Sequence, residues 1–180
     1  RWYNVSDPEG VQLLAAAGAE ESQAPVVITR DGQPLVQPSL LEVANAVGLS
    51  TTPQGEFYDV VIIGGGPAGL GAAVYAASEG LKTVVVERAA AGGQAGQSSR
   101  IDNYLGFPDG VTGDQLAERA RLQAQHFRAE LLTARLVVGL EAKGPARQVM
   151  LDDGSSVLTH AVVLATGVSY RQLDATGAPE

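Results

Sequence analysis

The chain has 180 residues, 45% of them hydrophobic, enough to bury a sizeable core in one domain, or in one domain and part of another. Its formal net charge is −8 and its Lys and Arg residues form no cluster, which argues against a nucleic-acid or acidic-membrane surface. With no cysteine there is no disulfide, thiolate metal site or cysteine nucleophile; no apolar run nears the length of a membrane span, and a cytoplasmic location is expected.

The first predicted zone is 1–49. Residues 2–5 read as a strand, with Trp2 and Tyr3 as core aromatics. Asp7-Pro8 supplies an N-cap and a proline at N1 for a helix to about Ala17. Residues 25–29 are a short buried-type strand. Asp31-Gly32 is a hairpin turn signal, and 34–36 would be the return strand. Ser39 caps a helix to about Val47, with Gly48 as its stop. The order is β-α-β-β-α. Residues 50–57, rich in Ser, Thr, Pro and Gly, read as a linker.

The stretch 58–87 carries the strongest signal. Residues 59–63 form a Val- and Ile-rich run suited to a buried parallel strand. Gly64-Gly65-Gly66-Pro67-Ala68-Gly69 follows at once, giving G-x-G-x-x-G at the start of an Ala-rich helix to about Glu79, with Gly80 beyond it. Gly64 permits the turn out of the strand. Gly66 lets a pyrophosphate approach the backbone, and Gly69 lets the helix pack close to the sheet. The helix N-terminus, with its N–H groups and dipole, suits phosphates. A second apolar strand, 83–86, ends at Glu87, where a carboxylate can accept hydrogen bonds from both ribose hydroxyls. The whole is a dinucleotide-binding βαβ unit.

Beyond it, Gly92-Gly93-Gln94-Ala95-Gly96 and the turn at 101–108 precede an amphipathic helix at about 113–128, whose Glu118, Arg119, Arg121 and Arg128 read as a solvated face. Alternating apolar residues after Arg135 predict a three-stranded meander at 136–141, 148–151 and 157–159, followed by a return strand at 161–165. Ala165-Thr166-Gly167 closes that strand. His126 and His160 have no second ligand at metal spacing, so no metal is expected. Arg1 in place of an initiator Met and the loop-like 175–180 imply a piece of a longer polypeptide.

Two resemblances follow from these residues. The order in 1–49 resembles the C-terminal part of a thioredoxin-like or glutaredoxin-like domain. It places Ala24-Pro25 where that family keeps a cis-proline, with its redox cysteines upstream of Arg1. Residues 58–180 resemble the first FAD-domain segment of the low-molecular-weight thioredoxin reductases. The G-x-G-x-x-G motif, the strand-end Glu87, the G-G-Q at 92–94, the I-x-N at 101–103 and the A-T-G at 165–167 stand in that family's order. The fold class so implied is α/β: an FAD-binding, Rossmann-like doubly wound sheet with a β-meander, preceded by a partial thioredoxin-like unit. The domains would be 1–49, a linker at 50–57 and 58–180.

The thioredoxin reductase resemblance also implies roles. Gly64, Gly66, Pro67, Ala68 and Gly69 would hold the FAD pyrophosphate. Glu87 would bind the adenosine ribose, and Arg88 would cover the adenine. Gly93, Gln94 and Asn103 would serve the flavin end, Leu136 the adenine edge, and Ala165, Thr166 and Gly167 the strand end where the ligand lies. No catalytic residue is expected in this chain. The Glu87 carboxylate would repel a 2′-phosphate, so the NADPH site would lie outside the chain. The implied enzyme passes electrons from NADPH through FAD to a disulfide, with a thioredoxin-like protein as redox partner and a homodimer as its assembly. A ferredoxin–NADP reductase of the same type, or a flavin-based redox sensor, shares these motifs. With one fingerprint where the reaction needs two, and no cysteine, the 180 residues alone are expected to turn over neither NADPH nor a disulfide.

Overall fold

A computed structural model describes residues 2–169. Two groups of elements follow each other along the chain. The first holds helix α1 (Pro8–Ala16), strands β1 (Val26–Ile28) and β2 (Pro34–Val36), and helix α2 (Leu40–Ala46). β1 and β2 pair antiparallel, with Val27 opposite Leu35. Their hairpin turns at Asp31-Gly32 as expected: Gly32 takes φ +85° and its N–H donates to Thr29 O at 3.0 Å. Ser39 caps α2 through a reciprocal pair of bonds. Its hydroxyl accepts the Glu42 N–H at 3.2 Å, and the Glu42 carboxylate accepts the Ser39 N–H at 2.7 Å. The Ala24–Pro25 peptide is cis, as expected.

The expected strand at 2–5 does not form. Asn4 instead organises a turn into α1. Its side-chain oxygen accepts the Ser6 N–H and its carbonyl accepts the Asp7 N–H, both at 3.1 Å. Trp2 is 94% exposed and is not a core aromatic. Asp7 occupies the N-cap position of α1, but its side chain makes no capping bond.

The second group is built on one six-stranded sheet. Its strands are β3 (Phe57–Ile63), β4 (Thr83–Val86), β5 (Glu130–Leu132), β6 (Val137–Lys143), β7 (Ala146–Leu151) and β8 (Ser156–Leu164), in the order β5-β4-β3-β8-β7-β6. β3 lies parallel to β4 and β8, and β4 parallel to β5. β6, β7 and β8 pair antiparallel. The predicted third meander strand and the predicted return strand are therefore one element. Thr159, at their join, donates its hydroxyl to Asp59 O at 3.1 Å and is fully buried. The polar Thr-His pair that reads as a break in the sequence is bridged by the neighbouring strands. β5 was not anticipated; three residues are too few to show a period.

Helices α3 (Pro67–Ser78) and α4 (Gly113–His126) cover one face of the sheet. Ala73 and Ala77 of α3 and Ala124 of α4 bury Val60, Ile62 and Val85 there. The small alanines let the helices approach closely, at the cost of little side-chain entropy. On the other face Tyr58, Val61, Val84, Val86 and Leu132 pack against Val149, Leu151 and Val157 of the meander. The alternation of β3 slips between Tyr58 and Val61, which share a face although three apart. Asp59 N–H and Val60 N–H both donate to Lys82 O there, at 2.8 and 3.3 Å. α4 ends at His126 rather than 128 because Arg128 turns to φ +68°, and Ala129 N–H closes the cap on Ala124 O at 3.0 Å. The loop expected at 175–180 lies outside the described residues.

A candidate dinucleotide site at the carboxyl edge of the sheet

β3, β4 and β8 run parallel and end side by side, so Gly64, Glu87 and Ala165 meet at one edge. Gly64 turns the chain out of β3 at φ +105°, and a side chain there would collide with the Ala165 carbonyl. A side chain on Gly69 would collide with Gly64 O, so the first turn of α3 lies directly on the loop. Gly66 is the N-cap of α3 and Pro67 its first residue. Among the described residues, a Cβ on Gly66 would have one neighbour within 4 Å, Gly93 Cα at 3.9 Å, so the backbone is open on its cleft side.

Glu87 is held by the loop it faces. Its carboxylate accepts the Gly65 N–H at 2.6 Å and the Ala89 N–H at 2.9 Å. The segment 92–97 closes a second side. Gly92 N–H donates to Gly65 O at 2.7 Å, and a Cβ on Gly93 would sit 3.1 Å from Gly66 Cα. Gln94 reaches across the site, its Nε2 donating to Val168 O at 2.6 Å. That bond joins the 92–97 segment to the exit of β8.

These elements enclose a cleft of about 780 Å³. Of the residues singled out from the sequence, Gly64, Gly66, Pro67, Ala68, Glu87, Arg88, Gly93, Gln94, Ala165, Thr166 and Gly167 line it. Gly69 lies behind the loop as a packing position. Asn103 stands exposed on the 101–111 loop and Leu136 is 48% exposed; neither lines the cleft. Leu136 is tied instead to the meander turn, its N–H donating to Asp152 Oδ1 at 3.2 Å and its carbonyl accepting the Asp152 N–H at 3.0 Å.

One wall includes residues that read in the sequence as a solvated helix face. Asp114, Ala117, Glu118 and Arg121 of α4 line the cleft, so that face of the helix is not simply solvated. Their 3–1–3 spacing is the signal, since it puts them on one face. Arg121 lies against Glu118 in a two-point ion pair, Nε to Oε2 and Nη2 to Oε1, both 2.7 Å. That pairing holds the Glu118 carboxyl below its ordinary value and raises the Arg121 guanidinium.

The residues fit a dinucleotide. Bare backbone at a helix N-terminus can take a pyrophosphate, and a strand-end carboxylate can take ribose hydroxyls; Gly66 and Glu87 both line the cleft. Residues 58–180 match the family model described as pyridine nucleotide-disulphide oxidoreductase. The chain is 38% identical over 134 residues to a bifunctional thioredoxin reductase/thioredoxin of Mycobacterium leprae (strain TN), covering 73% of this chain and 29% of the relative. It is 40% identical over 120 residues to a thioredoxin reductase of Mycolicibacterium smegmatis, covering 67% and 38%. A solved thioredoxin reductase from Gloeobacter violaceus superposes with a TM-score of 0.59 at 38% identity, over 66% of this chain and 37% of that one. One from T. acidophilum superposes at 0.64 and 29% identity, over 68% and 40%. The chain thus spans well under half the length of these relatives. Its Rossmann-like part is similar to one segment of thioredoxin reductases, and the chain belongs to the pyridine nucleotide-disulphide oxidoreductase family.

Proposed function

We propose that the cleft binds FAD and that the chain is part of a thioredoxin-reductase-like flavoenzyme. The observation that carries this reading is the convergence of the glycine loop, Glu87 and the 165–167 strand end on one cleft. The backbone N–H groups at the start of α3 would hold the pyrophosphate, with the helix dipole behind them. Glu87 would accept the adenosine ribose hydroxyls and Arg88 would cover the adenine. Gly93 and Gln94 would approach the flavin end from the 92–97 segment. When bound, FAD would supply the redox chemistry that links NADPH to a disulfide. This chain's residues bind and orient it, and leave the NADPH site to other residues of the enzyme. A thioredoxin-like protein as acceptor, a homodimer and a cytoplasmic setting belong to the same proposal. So does a division into 1–49, 50–57 and 58–180, with a thioredoxin-like first part, supported by the α1, β1, β2, α2 order.

The test is a titration of FAD followed by quenching of flavin fluorescence, with ADP and FMN as competitors. Saturable FAD binding that ADP displaces and FMN does not is the expected result, because Glu87 and the glycine loop address the adenosine diphosphate half. Failure of FAD to bind would overturn the reading.

A further inference from the structure

We propose that Arg121, fixed in place by Glu118 and Gln125, is a further phosphate-directed residue of the cleft, supplying the cationic side chain that the glycine loop lacks. The inference rests on the dinucleotide reading of the site.

The loop at 64–69 carries only Gly, Pro and Ala, so it offers a phosphate no side-chain donor. One of its backbone donors, the Gly65 N–H, is engaged by the Glu87 carboxylate. Among the described residues, the charged ones lining the cleft are Glu87, Asp114 and Glu118 against Arg88 and Arg121, three carboxylates to two cations. A diphosphate entering such a cleft needs each cation aimed at it. Arg88 follows Glu87 at the strand end, on the adenosine side. Arg121 lines the cleft from α4.

Its place follows from a chain of contacts. Gly92 N–H donates to Gly65 O at 2.7 Å. Gly92 packs on α4 so closely that a Cβ there would sit 2.6 Å from Ala117 Cβ. Arg121 follows Ala117 by four residues, about 6 Å along the same helix face. The phosphate loop, the 92–97 segment and the Arg121 face of α4 are thus successive layers around the cleft.

Arg121 is also preorganised. Nε and Nη2 donate to the two Glu118 oxygens and Nη1 donates to Gln125 Oε1, each at 2.7 Å. These three bonds fix the guanidinium plane and use three of its five N–H donors. An exposed i,i+3 ion pair alone would add little to stability. A guanidinium gripped from both neighbouring turns, its side chain only 29% exposed and lining the cleft, is instead a fork held ready for an anion.

The experiment titrates ADP and adenosine into the wild-type protein and into Arg121→Gln and Arg121→Lys, at two ionic strengths, with FAD titrated in parallel. Arg121→Gln should weaken ADP and FAD about tenfold, roughly 1.4 kcal/mol, leave adenosine unchanged and flatten the salt dependence of ADP binding. Arg121→Lys should fall between, since it keeps the charge and loses the fork. An ADP affinity within twofold of wild type, or equal losses for ADP and adenosine, would overturn the proposal while FAD binding by the wild type left the cofactor reading intact. If Arg121→Gln does not fold, the ADP-to-adenosine ratio of Arg121→Lys decides in the same way. A wild-type protein that binds neither FAD nor ADP would overturn both readings together.

Discussion

The Glu87 carboxylate accepts the Gly65 and Ala89 N–H groups at 2.6 and 2.9 Å, so it shapes the loop as well as facing the cleft. Each carboxylate oxygen has a second lone pair, and these can take ribose hydroxyls without breaking either bond. Glu87→Ala should therefore weaken FAD by about 1.5–3 kcal/mol, the range for hydrogen bonds to a charged group. Glu87→Gln should cost less, because the amide oxygen still takes the Gly65 N–H. Isothermal titration of FAD measures both; an unchanged affinity in Glu87→Ala would remove this side chain from the site. Gly66 and Glu87 were legible in the sequence because a close backbone approach and a strand-end carboxylate are local requirements. Arg121 was not, because its significance depends on α4 packing against Gly92, a contact between residues far apart in the chain. Tyr58 shows the same limit. Burial first, and then its 2.5 Å hydrogen bond to Glu130, push its phenol above the ordinary range, and its sequence neighbours give no sign of this.

Among the elements, the βαβ unit was readable almost to the residue: β3, the glycine turn, α3 with its stop at Gly80, and β4 each carry their own periodicity and punctuation. β5 and the fusion of the last two strands into β8 were not, since pairing with β4 and β3 makes strands of segments whose local pattern is short or interrupted. α3 offers a direct test of this distinction between local and packed positions, because it holds two glycines two residues apart. Gly69 meets the Gly64 carbonyl, whereas a Cβ on Gly71 would meet nothing within 4 Å. Gly69→Ala should destabilise the protein by about 1–3 kcal/mol, as overpacking does, and should weaken FAD because the phosphate loop must move. Gly71→Ala should stabilise it by about 0.5–1 kcal/mol through helix propensity alone, with FAD affinity unchanged. Urea melts of the two variants give the comparison, and equal effects would contradict the packing described for Gly69.

At the scale of the whole molecule, the segment that reads as a linker is strapped to the sheet. Thr133 N–H donates to Ser50 O at 2.9 Å, Gln54 N–H to Glu130 Oε1 at 2.9 Å, and Leu158 N–H to Glu56 O at 2.8 Å. The nearly buried Arg135 gathers the strap and the meander together. Its Nε donates to Thr51 O, and its guanidinium pairs with Asp152 at 3.7 Å and Asp153 at 3.2 Å. At the other end the Thr51 hydroxyl donates to Asn45 Oδ1 at 2.9 Å, which carries the connection to α2. Polar composition identified 50–57 as irregular chain but could not reveal partners some 80 residues away. A strap and a tether differ in their amide exchange. The Gln54 and Thr133 amides should be protected in the native protein and exchange only when the β5 edge opens, whereas a tether would exchange at the unprotected rate. Arg135→Ala leaves the Thr51 carbonyl without this donor and two aspartates without their cation. It should cost about 1–3 kcal/mol in a denaturant melt and release the Gln54 and Thr133 amides while leaving those of β3 and β4 protected. Arg135→Lys, which keeps the charge but cannot reach all three acceptors in one plane, should recover part of the stability and less of the protection. If both amides exchanged freely in the wild type, or if Arg135→Ala loosened the whole sheet alike, 50–57 would be a tether and the two groups of elements would not share a fixed connection.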